Sequence, residues 1–120
     1  MGIDEKLREE LEASDGSFLL SLRTDLTWDP SAFDRLIAAM LEVVQARDPE
    51  EPIPRWMAQG FWFVDWFVKE WSQHPNFPRP HSAQYYQRAY ERLHDLAFYL
   101  FMGTSPYQDG KGFEALRSDE

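Results

Sequence analysis

Two side chains near the C-terminal end of the chain have the types and the spacing that could perform chemistry. Glu91 precedes His94 by three residues, so a helix places the carboxylate and the imidazole on one face. Such groups can bind a transition metal or exchange protons. Asp65 or Glu70, from a second helix, could add a ligand if the two helices are neighbours. Asp65, Glu91 and His94 are therefore the candidates for a metal-binding or small-ligand function.

The same Glu-x-x-His spacing occurs in ferritin-like di-iron bundles, which combine two such pairs with two further glutamates. This sequence has one pair, and only a symmetric dimer could supply the second. A structural role, in which Glu91 pairs with Arg88 and His94 is partly buried, is the stronger interpretation. The interval from Arg88 to His94 also resembles the Arg-to-His spacing of HEPN-type ribonucleases, over those two residues alone. The net charge of −9 argues against an RNA substrate.

No other motif indicates an enzyme. The sequence has no P-loop, no GxGxxG and no nucleophile elbow, and it contains no cysteine for a disulfide or a thiolate zinc site. His74 and His81 flank a proline-rich segment and could bind a metal or titrate near neutral pH, although solvated loop histidines are commoner. We therefore expect a non-enzymatic protein without a cofactor.

The stretch that must position these groups is the most aromatic part of the chain. Residues 54–72 predict one helix that is apolar on nearly every side. Because each buried ring removes a large apolar area from water, we expect this helix to centre the core. A small bundle cannot cover all of it, so some tryptophans should stay exposed, as is typical of a protein interface. The candidate interface tryptophans are Trp56, Trp62, Trp66 and Trp71.

Local signals predict a helix on each side of this stretch. Asp29 is a good N-cap and Pro30 a good first residue for a helix that continues to about Arg47. Ser82 is an N-cap for a later helix, which Gly103 closes. The apolar face of this later helix runs as far as Phe101 and is widened by Phe98.

The remaining segments carry weaker patterns. Residues 1–14 predict a weakly docked helix with a narrow apolar stripe, and residues 14–28 a short helix or an irregular segment. Gly60 interrupts the aromatic helix, where it would let another helix approach closely. Residues 104–120 predict a partly ordered tail. Together these patterns predict a single all-α domain over residues 1–120, a small bundle of about four helices.

The negative charge is concentrated in the first half of the chain. Residues 1–51 carry a net charge of −8, whereas residues 52–103 carry +1. An acidic surface repels phosphate and anionic lipid, which argues against nucleic-acid and membrane binding. The acidic residues either keep an aromatic-rich domain in solution, which is their commoner role, or attract a basic protein. The candidate contacts for such a protein are Asp25, Asp29, Asp34, Glu42, Asp48, Glu50 and Glu51.

These patterns favour a protein-interaction module, which binds a protein partner or itself as a homodimer. In size and charge the chain is similar to the small acidic helical immunity proteins that neutralise basic nuclease toxins, although no motif carries that similarity. No apolar run approaches the roughly 20 residues that span a bilayer, and the first residues lack a secretory pattern. We therefore expect a cytoplasmic protein. The metal-binding or small-ligand bundle is the alternative.

Overall fold

The computed structural model describes residues 2–107, 113–114 and 116, and this part of the chain forms five helices and no strand. The predicted all-α bundle is confirmed, and the short helix in the segment after residue 14 is the additional element. No helix in the described ranges is both long and apolar enough to cross a membrane. The helices are α1 (Ile3–Leu11), α2 (Phe18–Thr24), α3 (Pro30–Ala46), α4 (Arg55–Ser72) and α5 (Ala83–Met102).

The predicted caps set the limits of α3 and α5. The Asp29 carboxylate accepts the backbone N–H of Ser31 at 3.0 Å, and the Ser82 hydroxyl accepts that of Tyr85 at 3.1 Å. Each bond satisfies a donor that has no partner within its own helix. Gly103 closes α5 with a φ of 76°, a conformation that favours glycine. The start of α3 and both ends of α5 therefore follow from residues close in sequence.

The helices pack as two pairs joined through the middle of the bundle. α1 packs on α3, α4 packs on α5, and contacts between α3 and α5 connect the pairs. α2 crosses beside α1, α3 and α4. Ser72 at the end of α4 hydrogen-bonds to Tyr90 at 2.6 Å, while the earlier Asp65 contacts the later His94. α4 and α5 are therefore antiparallel neighbours.

The centre of the core is Trp28, which lies between α2 and α3 and is 3% exposed. Its ring centroid lies 4.8 Å from Phe18 and 5.2 Å from Phe33. On the α5 side, Tyr86 meets it edge-on at 5.1 Å, and the Trp28 indole N–H donates to the Tyr85 hydroxyl at 3.0 Å. A residue outside every helix thus joins α2, α3 and α5, a role that no sequence pattern predicted.

The predicted aromatic helix is present as α4, but most of its rings point away from the core. Phe61 is buried together with Met57, Val64 and Val68, whereas the other six aromatic residues of α4 are half-buried or exposed. The expectation that these rings fill the core is therefore corrected. The physical reason is that Trp28 and its aromatic neighbours already fill the space between α3 and α5. The space that remains beside α5 accommodates the narrower aliphatic side of α4.

Gly60 marks a close approach between α4 and α1, as the sequence predicted. A Cβ atom at Gly60 would overlap Cδ1 of Leu11 and lie 3.2 Å from its Cγ. About one turn earlier on each helix, the Arg8 guanidinium of α1 lies over the Trp56 ring of α4, 4.2 Å from its centroid. The packing of Leu11 of α1 against α4 therefore requires a residue without a side chain at position 60.

Alanine at Gly60 tests this contact. Alanine is favoured over glycine in a helix interior by about 1 kcal/mol, but its methyl group needs the space that Leu11 occupies. We expect Gly60→Ala to leave the free energy of unfolding unchanged or to lower it. In a Leu11→Ala background the same substitution should raise it by up to about 1 kcal/mol. Urea unfolding of the four proteins measures both effects, and equal effects in the two backgrounds would contradict the contact.

Candidate interaction surface

Five residues on the outer side of α4 form a continuous row of stacked rings. Trp62 and Trp66 stack nearly parallel, with centroids 5.9 Å apart, and are 61% and 50% exposed. Phe63 stacks on Phe67 at 5.1 Å, and Phe67 on Trp71 at 5.5 Å. Phe63 also lies 6.2 Å from Trp66, which connects the two stacks. We call these five residues the aromatic row.

The row follows from residue spacing and from a contact with α2. Side chains four residues apart lie one above the other on a helix, so Phe63, Phe67 and Trp71 stack along its length. The Trp71 indole N–H donates to the backbone carbonyl of Leu22 at 2.9 Å, which fixes the end of the row. Three of the four candidate tryptophans therefore belong to the row. Trp56 is half-buried beneath Arg8 and lies apart from it.

The apolar surface continues from the row onto α5. The contact between Asp65 and His94 sets the level of the two antiparallel helices. One turn beyond that contact, Phe98 on α5 is therefore level with Trp62 on α4. The sequence assigned Phe98 and Phe101 to the buried face of α5, and the structure corrects this, because both lie at the edge of that face and are exposed. In the sequence, the exposure of Phe98 and Phe101 is indicated only by an apolar stripe on α5 that is wider than one neighbouring helix can cover.

This surface is large for a protein of 120 residues. Six of its aromatic side chains are between 37 and 61% exposed: Trp62, Phe63, Trp66, Trp71, Phe98 and Phe101. With about 200–250 Å² for a fully exposed ring, they present roughly 600 Å² of aromatic area to water. The largest apolar patch of a monomeric protein is usually about 300–600 Å² and is often functional. The area lies at the upper end of that range, where a functional surface is expected.

At its C-terminal end the row borders a small apolar cavity of about 300 Å³. The cavity is lined by Leu26, Trp71 and Phe77, together with His74 and Asn76. The backbone of Leu26 has a φ of 49°, a left-handed conformation that is rare for a bulky residue. Strain of this kind persists only where surrounding contacts impose it. In this conformation the exposed Leu26 side chain lies near Trp71 at the end of the row, and no sequence signal predicted that position.

The structure brings together two of the three candidate ligands. Asp65 Oδ2 lies 3.1 Å from His94 Nδ1, and the His94 ring is 74% exposed. Glu91, one turn earlier on α5, accepts a hydrogen bond from the Gln87 amide at 3.3 Å. Within the described ranges, no three or more His, Cys, Asp or Glu side chains are grouped closely enough to hold a metal ion. The arrangement provides a carboxylate–imidazole pair that is open to solvent.

The acidic candidates are spread along α3 and do not form one patch. Asp25 and Asp29 lie before the start of the helix, and Asp48, Glu50 and Glu51 follow its end. The 17 residues of α3 separate the two groups by about 25 Å. Two of these carboxylates also serve the local fold, since Asp29 caps α3 and Asp48 accepts the backbone N–H of Glu50 at 2.9 Å.

The two candidates within α3 have different surroundings. Asp34 is half-buried, and burial raises the pKa of its carboxyl group, although the nearby Arg92 guanidinium acts in the opposite direction. Glu42 is exposed on the side of α3 that borders α1. The acidic candidates are therefore dispersed over the surface on and around α3, whereas the aromatic row is a single contiguous surface.

Comparison with known proteins identifies no relative of this chain. No protein-family model matches it. No curated protein and no solved structure is significantly similar to it. The function must therefore be inferred from the chemistry of the surfaces described above.

Proposed function

We propose that this chain is a cytoplasmic, non-enzymatic protein-interaction module that binds through the aromatic row and the adjacent apolar residues of α5. The observation that supports this most is the stacked and exposed pair of Trp62 and Trp66. Tryptophan is enriched among the few residues that dominate binding energy. Stacking, and the hydrogen bond from Trp71 to α2, hold the row in place before a partner arrives. Less conformational entropy is then lost on binding.

The acidic residues have a different part in this proposal. A charged field acts over several ångströms and mainly raises association rates, whereas a contiguous apolar surface supplies affinity. A basic partner would fit the acidic half of the molecule, as with the immunity proteins that are similar in size and charge. Because the acidic candidates are spread along α3 and beyond both of its ends, we assign them to steering and the aromatic row to contact.

The test compares three forms of the immobilised protein in a lysate of the source cells at low and at high salt. Trp62→Gln/Trp66→Gln removes the stacked pair without adding charge, and glutamine is well tolerated in helices. Glu42→Gln/Glu50→Gln is both the control for the row and the test of the acidic candidates, since both residues are exposed and lie outside the row. Captured proteins, including endogenous copies of the chain itself, are quantified by mass spectrometry. Circular dichroism establishes that all three forms are equally helical.

We expect one stoichiometric partner that is retained at high salt by the wild type and by the control. The tryptophan variant should capture at least about tenfold less of it, because such residues carry a large share of binding energy. If the partner is lost at high salt, and if the control variant fails to capture it while the tryptophan variant still does, binding depends on the acidic residues and not on the row. If no protein is captured at either salt concentration, including the chain itself, the proposal is wrong.

A metal-binding or small-ligand function at Asp65, Glu91 and His94 is the second candidate, and the 3.1 Å contact between Asp65 and His94 favours it. Carboxylates and imidazole should retain a transition metal when the protein is purified without chelator. We expect elemental analysis to find at least one equivalent if this candidate is correct, and much less in a His94→Ala variant. Less than about a tenth of an equivalent in the wild type would overturn it.

A further inference from the structure

The cavity at the end of the aromatic row lies where two connections of the bundle meet. Leu26 follows α2, Trp71 is near the end of α4, and Phe77 lies in the corner between α4 and α5. His74 and Asn76, from the same corner, complete the lining of about 300 Å³. Phe77 belongs to the core, whereas the other four residues are exposed, so the cavity reaches from the core to the surface. Its size is at the lower end of the roughly 300–1,000 Å³ typical of small-molecule pockets.

The corner between α4 and α5 forms a rigid wall of this cavity. The backbone N–H of Phe77 donates to the carbonyl of His74 at 2.9 Å, which closes a turn around Pro75 and Asn76. Proline restricts the backbone of such a turn. The backbone N–H of Asn76 also donates to His74 Nδ1 at 3.2 Å. The neutral imidazole therefore carries its proton on Nε2, so a residue that lines the apolar cavity retains one hydrogen-bond donor.

The Trp71 ring is held in place by two contacts. Its indole N–H donates to the backbone carbonyl of Leu22 at 2.9 Å, and the ring stacks on Phe67 with centroids 5.5 Å apart. The corner is tied to the same residue, because the backbone N–H of His74 donates to the Trp71 carbonyl at 3.2 Å. The aromatic part of the lining is therefore in position before a ligand arrives, which limits the conformational entropy lost on binding.

Leu26 completes the cavity in a strained conformation. It follows the C-cap of α2 with a φ of 49°, a left-handed conformation in which glycine is the usual residue. The backbone N–H of Thr27 donates to the carbonyl of Ser21 at 3.1 Å, a bond that glycine at position 26 would equally permit. Leu26 also lies outside the hydrophobic core, since its side chain is 41% exposed. A strained residue with an exposed apolar side chain is typical of a position that serves binding.

We infer that this cavity is a binding site for a planar aromatic group of about the size of indole. A cavity of about 150 Å³ with an apolar lining holds one benzene molecule, so twice that volume accommodates two fused rings. Trp71, Phe77 and Leu26 provide the apolar contacts, and the His74 imidazole is a donor for a polar substituent. The inference goes beyond the proposed function and does not depend on it, although Trp71 belongs to both surfaces.

Titration of the whole chain with indole tests the site. The indole N–H resonance of Trp71 in an NMR correlation spectrum reports on the cavity, and a Trp71→Phe variant identifies that resonance. We expect a saturable shift with a dissociation constant on the order of 1 mM, as for a ligand of this size. Leu26→Asn removes the aliphatic wall with a residue that tolerates the left-handed conformation. It should weaken binding about fivefold or more without lowering the urea midpoint of unfolding, and Leu26→Gly should do the same.

Two control variants separate the cavity from other exposed apolar side chains. Met102→Asn removes such a side chain at the last residue of α5, at the opposite end of the α4–α5 pair, and is the matched control for Leu26→Asn. Trp62→Gln/Trp66→Gln removes the stacked pair of the row, and neither residue lines the cavity. We expect both controls to bind indole as the wild type does.

A second probe identifies the source of the aromatic group. N-acetyltryptophanamide carries the same ring on a peptide backbone. An affinity within about threefold of that of indole assigns the cavity to an aromatic side chain of a partner protein, and weaker binding assigns it to a free aromatic compound.

Three results would overturn the inference. The first is the absence of a saturable shift up to about 10 mM indole. The second is indole binding that both Leu26 variants retain or that Trp62→Gln/Trp66→Gln loses, because the ring would then bind elsewhere. The third is a urea midpoint that falls in both Leu26 variants, because the leucine would then be required for folding. None of these results decides the lysate experiment, which depends on Trp62 and Trp66.

Discussion

Replacing Trp28 by alanine should lower the free energy of unfolding by about 3–5 kcal/mol, the range for removal of a large buried aromatic side chain. The substitution removes ring contacts to α2, α3 and α5 together, because Trp28 lies where these helices meet. It also leaves the Tyr85 hydroxyl without its indole donor. Since domains of this size are stable by about 5–15 kcal/mol, the loss is a large fraction of the total. Urea unfolding followed by far-UV circular dichroism measures it.

Two control variants separate the causes of this loss. Trp28→Phe keeps much of the ring packing and removes the N–H donor, so we expect a smaller loss than with alanine. Trp62→Ala removes a ring of the same type that is 61% exposed, and should change the free energy of unfolding by less than about 1 kcal/mol. If Trp62→Ala were as costly as Trp28→Ala, the core would not be centred where we place it.

Strongly alkaline solution should destabilise the fold through Tyr85. The pKa of Tyr85 is raised to about 12, chiefly by burial and also by nearby acidic groups such as Asp34, while the Trp28 N–H donor acts in the opposite direction. An unfolded tyrosine has a pKa near 10, so the folded chain holds this proton more tightly. The contribution to stability is therefore fully present below about pH 10. It is lost as the pH rises through about 12, by up to about 3 kcal/mol.

A Tyr85→Phe variant measures this dependence. Below about pH 10 we expect the variant to be less stable than the wild type by about 1–2 kcal/mol, because the buried Trp28 N–H loses its acceptor. Between about pH 10 and 12 the difference should narrow as the wild type loses the Tyr85 contribution. Both proteins keep a further alkaline slope, since the pKa of Tyr107 is also raised to about 12 by burial and by its hydrogen bond to Asp95. Stability curves that stay parallel up to pH 12 would contradict the assignment.

The parts of the fold that the sequence predicted correctly depend on near neighbours in the chain. Asp29 with Pro30, Ser82 and Gly103 act on backbone groups within a few residues, so residue type and order are enough to locate the ends of α3 and α5. Trp28 has no such signal. It directly precedes the cap of α3 in a segment outside every helix, and its burial depends on side chains from three separate helices.

The orientation of α4 could not be predicted for a related reason. Its apolar residues cover nearly the whole circumference, so periodicity alone does not say which side faces inward. Which side of α4 faces the core depends on side-chain volume, because the aliphatic side with Met57, Val64 and Val68 fits beside α5. The same uncertainty applied to the candidate ligands. Asp65 could meet His94 only in one rotation of α4, and the sequence contains no signal for that rotation.

The bond between Trp28 and Tyr85 also affects the order in which the chain can fold. The two residues are separated by 57 positions, so Trp28 leaves the ribosome well before the helix that encloses it. Domains generally form once their last essential segment has been synthesised, and distant contacts close late. Until α5 has been translated, Trp28 can pack on Phe18 and Phe33, but its indole N–H lacks the Tyr85 acceptor and one side of its ring lacks Tyr86. The net charge of −8 on residues 1–51 is suited to that interval, because like charge opposes association between unfinished chains.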